Sequence, residues 1–145
     1  MPSPVYLLDT AILLVCVRGG KLGKYICAQY PFDNAGFGSL VCVVSVGEIL
    51  SLSKKLKWGS ERNAILRALL DTLVTVDINS NTVLEAYSEL DYFSESIGRR
   101  MGKNDIWIAA AAKATGATLL TTDNDFDHLH PTQITRVLID PATGE

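Results

Sequence analysis

The chain has 145 residues, 48% of them hydrophobic and 20% charged, with a net charge of −3. That is enough chain and enough apolar material for one soluble domain with its own core, and it excludes a disordered or fibrous chain. The mildly acidic balance leaves nucleic-acid binding open, but only through a local basic patch.

In chain order, residues 4–8 (PVYLL) form a short apolar run that ends at Asp9-Thr10, as a buried strand does. Residues 10–18 read as a short helix stopped by Gly19-Gly20, and 21–30 as a second helix stopped by Pro31. The apolar run 11–17 is too short to cross a bilayer, Asp9 interrupts the longer stretch, and no basic residue precedes it as in a signal peptide. The expectation is a cytoplasmic protein with no membrane segment. Cys16, Cys27 and Cys42 are an odd set in apolar surroundings, expected to be reduced, buried thiols.

Residues 39–44 (SLVCVV) are β-branched and apolar, a second strand. A helix opens at Ser45, with Ile49, Leu50, Leu52 and Leu56 apolar and Lys54, Lys55 and Lys57 exposed. Residues 60–73 form an amphipathic helix capped by a serine, 74–78 a third strand, and 80–98 a long helix with apolar residues at helical spacing. A helix over 104–116 with a glycine stop, a fourth strand over 117–122 and a fifth over 134–140 complete the chain. Strands alternating with helices predict an α/β fold with a parallel sheet of about five strands and helices on both faces. No repeat or linker divides it, so the expectation is a single domain over 1–145.

In such sheets ligands sit beyond the carboxyl ends of the strands. Asp9 and Asp123 leave predicted strand ends, while Glu48 and Asp105 sit near helix starts. Each has an ordinary explanation. Asp9 caps a helix, Ser45 and Glu48 make a capping box, Asp105 complements a helix dipole, and Asp123 forms a turn. Together they are harder to explain, because all four fall on one edge. At ~5 Å and an effective dielectric of ~20, each ionised pair costs about 3 kcal/mol. A cation removes that cost, and oxygen-only ligands select Mg²⁺ or Mn²⁺. Such an ion activates water and stabilises charge on a phosphate. Asp125 and Asp127 read as turn bystanders beside this edge.

The segments VYLLDTAILL, VSVGEIL and GKNDIWIAAAAKATGATLLTTDNDF resemble, in order and over 5–139, the blocks of PIN-domain ribonucleases, in particular VapC-type toxins of type II toxin–antitoxin pairs. The resemblance implies a PIN-like three-layer α/β/α fold. It implies an acidic quartet of Asp9, Glu48, Asp105 and Asp123, with Asp9, Asp105 and Asp123 holding Mg²⁺ or Mn²⁺. Thr10 and Thr121 match small hydroxyl positions lining that site, and Asp125 is a possible extra acid. It further implies cleavage of tRNA or rRNA, a homodimer, and a VapB-like antitoxin that inserts near the acidic pocket. One departure is Ala11, where the family often has Ser, Asn or Asp; this points to weaker metal binding.

Arg99, Arg100 and Lys103 precede Asp105 directly, which suits an RNA backbone passing over the acidic pocket. The lysines around Trp58 are either an RNA-stacking patch or a solvated helix face. His128 and His130 have a spacing zinc sites use but lack partner ligands, and read as loop histidines. Two other classes stay open. A non-catalytic PIN scaffold would bind RNA or a protein without cleaving. A receiver-like signalling domain would use Asp77 near the third strand's end, but no lysine follows the fifth strand. A haloacid-dehalogenase-type phosphatase needs D-x-D at the first strand, which DTA lacks.

Overall fold

Leu7 and Leu8 are neighbours in the first strand, and both are fully buried. Successive strand residues point to opposite faces, so both faces of this sheet are covered. The same holds for Val41 and Cys42, and for Leu119 and Leu120. This is why the strands read as continuous apolar runs and not as alternating ones.

The structure, a computed structural model, describes residues 4–30 and 38–142. The sheet contains β1 (Tyr6–Leu8), β2 (Leu40–Cys42), β3 (Val74–Val76), β4 (Thr118–Thr121) and β5 (Thr135–Leu138). All pairings are parallel, in the order β3-β2-β1-β4-β5. The helices are α1 (Thr10–Arg18), α2 (Gly20–Gln29), α3 (Val43–Lys55), α4 (Ser60–Thr72), α5 (Asn81–Ser96) and α6 (Lys103–Thr115), with a 3₁₀ segment at Asn124–Leu129.

Two cores result. Leu7, Cys42 and Leu119 pack with Val83, Leu90, Ile106, Ile108 and Phe126, so α5 and α6 cover one face. Leu8, Val41 and Leu120 pack with Ile12, Leu13, Ile26, Ile49 and Leu66, so α1 to α4 cover the other. The result is the three-layer α/β/α arrangement. Ala109 to Ala112 are all buried in the middle of α6; their small side chains let the helix lie close to both the sheet and α5. Gly116 then ends α6 in the left-handed region at φ 72°, where a glycine is least strained.

Chain order fixes where a ligand would sit. From β1 the chain moves outward through β2 to β3, then returns to β4 on β1's other side. The boundary between β1 and β4 is therefore the topological switch point, where the crevice at the strands' carboxyl ends lies.

Several predicted details differ. The helix expected to open at Ser45 begins at Val43, directly after β2. Ser45 is thus already inside α3 and does not cap it, so the capping-box reading fails. Gly59 is the N-cap of α4, and Ser60 is its first residue with no side-chain cap. A serine does cap the next helix, α5, where Ser80 Oγ accepts from the Val83 N–H at 3.2 Å. Cys42 is buried as expected, but Cys16 is half-buried and Cys27 exposed. Pro31, expected to stop the second helix, lies outside the described residues. No described helix is long and apolar enough to cross a membrane.

Candidate metal centre

Asp9 follows β1 and is the N-cap of α1, its Oδ1 accepting from the Thr10 N–H at 2.7 Å. Its backbone N–H extends the pairing to β4 by donating to Leu120 O at 3.0 Å. That register sets Asp9 against Thr121, the last residue of β4. Thr121 Oγ1 donates to Asp9 Oδ2 at 2.7 Å and accepts from the Asp123 N–H at 2.9 Å. One fully buried hydroxyl thereby fixes two acids from adjacent strands. Capping and membership of the site are compatible here, because Asp9 does both.

Asp123 then caps the 3₁₀ segment, its Oδ1 accepting from the Asp125 N–H at 2.9 Å. This turn sets the exposed Asp125 beside Asp105 and Asp123. Carboxylate oxygens of Asp105, Asp123 and Asp125 lie within 4.8 Å of one another. Asp125, a turn bystander by its spacing and a possible extra acid by the resemblance, is thus part of the acidic group, with Asp105 arriving from the first turn of α6. Asp127 is the bystander, paired with Arg136.

Glu48 reaches in from the second turn of α3. Its Oε1 accepts from Thr10 Oγ1 at 2.7 Å, and its Oε2 from Asn104 Nδ2 at 3.2 Å. Thr10 Oγ1 also lies 2.9 Å from Ser45 Oγ. Ser45 and Asn104 are site-shaping residues that sequence reasoning missed. The only signal for Ser45 was its three-residue spacing from Glu48, which was read as a cap. Asn104 was hidden by the acid beside it. Ala11, where a polar residue was looked for, is half-buried.

The electrostatics agree with the geometry. Burial pushes the Asp105 carboxyl up to about 7, and the charges of Asp9, Asp123, Asp125 and Glu48 add to the rise. Burial likewise pushes Asp9 up to about 6, against hydrogen bonds from Thr121 and Thr10 that hold it down and with repulsion from Asp123 and Glu48. Asp9 and Glu48 are not in the set of Asp105, Asp123 and Asp125 that lies within 4.8 Å, but they border it closely enough for their charges to be felt. None of these carboxylates forms an ion pair with a lysine or arginine among the described residues. An all-oxygen set that repels itself fits a hard divalent cation.

The other candidates are placed as follows. Lys103 Nζ lies 3.6 Å from Asp91 Oδ1, and Arg100 Nε 4.0 Å from Glu95 Oε1, so both lean on α5. Arg99 is exposed, and its backbone N–H donates to Ser94 O at 2.8 Å. Lys55 and Asn104 line a cleft of about 510 Å³ with Glu48, so a further cation borders the acids. Trp58 packs partly into the core, 5.9 Å from the Arg62 guanidinium, as an anchor and not an open stacking platform. His128 Nε2 is 2.8 Å from Ser94 Oγ, and His130 Nδ1 accepts from the Arg136 N–H at 3.0 Å. Those bonds make both histidines structural. Asp77 follows edge strand β3, and its Oδ1 accepts from the Asn79 N–H at 3.2 Å, an ordinary turn contact.

Comparison with known proteins gives the same outline. A family model described as PIN domain matches residues 6–130. VapBC2 from Rickettsia felis, solved bound to a promoter DNA fragment, is similar with a TM-score of 0.79 and 22% identity, over 92% of this chain and 98% of that one. DNA-bound VapBC from Salmonella typhimurium gives 0.78 and 14%, over 93% and 98%. VapBC-5 from Mycobacterium tuberculosis, of the VapBC family of toxin–antitoxin systems, gives 0.65 and 20%, over 94% and 100%. At these identities the likeness is one of fold. No curated protein gives a match.

Proposed function

The chain belongs to the PIN-domain family, and from that membership we propose that it is a Mg²⁺- or Mn²⁺-dependent endoribonuclease acting as a VapC-like toxin. The observation that carries the reading is the convergence of Asp105, Asp123 and Asp125 within 4.8 Å, at the switch point that Asp9 and Glu48 also face. Asp9, Asp105 and Asp123 would hold the ion, with Asp125 close enough to join them. A bound divalent ion would lower the pKa of water and offset charge developing on a phosphate.

The chain's own residues organise that chemistry. Thr121 locks Asp9 and the backbone of Asp123 in one geometry. Thr10 and Asn104 hold the two oxygens of Glu48, which aims a fifth carboxylate at the group. Lys55, Arg99, Arg100 and Lys103 provide positive charge beside it for an RNA backbone. In this reading the substrate is a structured RNA such as tRNA or rRNA. The protein is a cytoplasmic homodimer held inactive by a VapB-like antitoxin, as the toxin–antitoxin character of VapBC-5 suggests.

The test is RNA cleavage by purified protein with Mg²⁺ or Mn²⁺ and with chelator. Cleavage is expected only with the ion, and Asp9→Asn or Asp105→Asn should remove it while circular dichroism shows an intact fold. Full activity in EDTA would sink the reading. Metal-stimulated RNA binding with no cleavage would move the chain to the non-catalytic scaffold class.

A further inference from the structure

Cys16 and Cys27 lie on the two arms of the α1–α2 hairpin, with their sulfurs 3.6 Å apart. Gly23 explains the approach. A Cβ there would fall 2.6 Å from the Val15 carbonyl oxygen, so no other residue lets α2 lie this close to α1 at Val15 and Cys16. Cys27 is one turn beyond Gly23, on the same side of α2. The third cysteine is elsewhere: Cys42 is fully buried in the other core, 3.8 Å from the Trp107 carbonyl.

We propose that Cys16 and Cys27 are an oxidisable dithiol that closes into a disulfide and staples α1 to α2. The two thiols play different parts. Cys27 is exposed and meets an oxidant first. Cys16 is half-buried with its sulfur beside that of Cys27, so it is the resolving thiol; burial and the neighbouring Cys27 favour its protonated form, and it attacks as the thiolate after giving that proton to water. With hydrogen peroxide, the Cys27 sulfur attacks one oxygen, the O–O bond breaks, and a sulfenic acid and water form. The Cys16 sulfur then attacks the sulfenic sulfur, the S–O bond breaks, and a second water leaves. Two thiols lose two hydrogens and two electrons, and the peroxide takes them up. A small-molecule disulfide takes up the same two electrons and leaves as two thiols. A disulfide needs the sulfurs at ~2.0 Å, a short closure for a cysteine on an exposed helix face.

The staple has a structural consequence away from the acidic group. Cys16 lines a cavity of about 560 Å³ with Leu56, Trp58, Arg62 and Ile65, between the end of α1 and the start of α4. Oxidation fixes that wall in place. The inference does not depend on the ribonuclease reading.

The experiment treats the full chain with hydrogen peroxide or oxidised glutathione and maps its thiols after trypsin digestion. Arg18, Lys21 and Lys24 fall between the two cysteines, so trypsin separates them unless a disulfide joins their peptides. The expected result is a linked Cys16–Cys27 peptide pair within one chain, Cys42 still free, and a melting temperature about 5–10 °C higher, reversed by dithiothreitol. Cys27→Ser, at an exposed position, should abolish the link and the shift, whereas Cys42→Ser should keep both. Only glutathione adducts on Cys27, only intermolecular dimers, or an unchanged melting temperature with both thiols free would overturn the proposal.

Discussion

Two acidic regions of the chain are treated in opposite ways. Along α5 and the 3₁₀ segment, four carboxylates are matched with cations: Glu89 with Lys113, Asp91 with Lys103, Glu95 with Arg100, and Asp127 with Arg136. At the switch point Asp9, Glu48, Asp105, Asp123 and Asp125 are neighbours, and the hydrogen bonds that hold Asp9, Glu48 and Asp123 come from hydroxyls, an amide and backbone N–H groups. Neutral donors orient carboxylates without cancelling their charge. Glu61, Asp77 and Glu85 also lie outside the ion pairs among the described residues, so what marks this group is its crowding, with three of its carboxylates within 4.8 Å of one another. That crowding is the feature a bound cation would relieve.

The largest effect should come from removing that charge. Asp105→Asn or Asp9→Asn should cut cleavage by more than ~100-fold, because even outer partners of metal ligands are worth 10–100-fold. The contrasting change, Asp127→Asn, breaks a matched pair and should leave cleavage within a few-fold of wild type. Equal losses in the two regions, measured as initial rates at saturating Mg²⁺, would erase the distinction.

A smaller effect should follow at the hydroxyl that sets the geometry. Thr121→Val keeps the shape but leaves Asp9 Oδ2 and the Asp123 N–H without their partner. Unfolding free energy should fall by about 1–3 kcal/mol, and Mg²⁺ affinity by about 10–100-fold. Chemical denaturation and calorimetric titration measure the two separately. Thr121→Ser, which keeps the hydroxyl, should restore the affinity.

The pH response sharpens the same contrast. Asp9 and Asp105 titrate at about 6 and about 7, above their ordinary 3.8, so the folded chain holds protons that the unfolded chain has already lost. Their contribution to metal-free stability is therefore complete below 3.8 and is lost as pH rises through 6 and then 7. After allowance for solvent screening it is on the order of 2 kcal/mol. In chelator, wild type should lose stability relative to Asp105→Asn between about pH 5 and pH 8. With Mg²⁺ the order should reverse, because ligands must shed protons to bind. Parallel melting curves for the two proteins across that range would show that Asp105 carries no excess charge.

The sequence was legible where one physical signal dominated. The three central strands β1, β2 and β4 are apolar runs apart from terminal threonines, and the acids at strand ends could be placed on one edge before any geometry was known. It misled where a local signal competed with packing. Val43 and Val44 are β-branched and read as strand, yet they begin α3, because covering the sheet outweighs a propensity difference of a few tenths of a kcal/mol. That shift of two residues turned a capping box into a hydroxyl contact between Ser45 and Thr10. Asp125 shows the same limit: its spacing alone reads as a turn bystander, and only the resemblance offered it as an extra acid. Nothing in its spacing announces that Asp123 caps a 3₁₀ turn and so carries Asp125 toward Asp105.

The smallest expected effect concerns the loop between the two regions. Arg99, Arg100 and Lys103 lie next to Asp105 in sequence, but Arg100 and Lys103 lean on Glu95 and Asp91. A cation already near a carboxylate gains less from a phosphate. Arg99 has no acidic partner among the described residues, so it should carry most of the loop's affinity for RNA. Replacing all three by alanine should weaken binding and flatten its salt dependence, because fewer counterions are released. Arg99→Ala alone should give most of that change. The two exposed pairs are worth ~0–1 kcal/mol each, so the triple variant should stay folded, and Mg²⁺ affinity should hold or rise slightly as positive charge is removed. The measurement is RNA affinity at several salt concentrations, using Asp105→Asn so that the RNA survives the assay. An unchanged salt slope in the triple variant would assign these side chains to solvent and leave Lys55, beside Glu48, as the cation to test next.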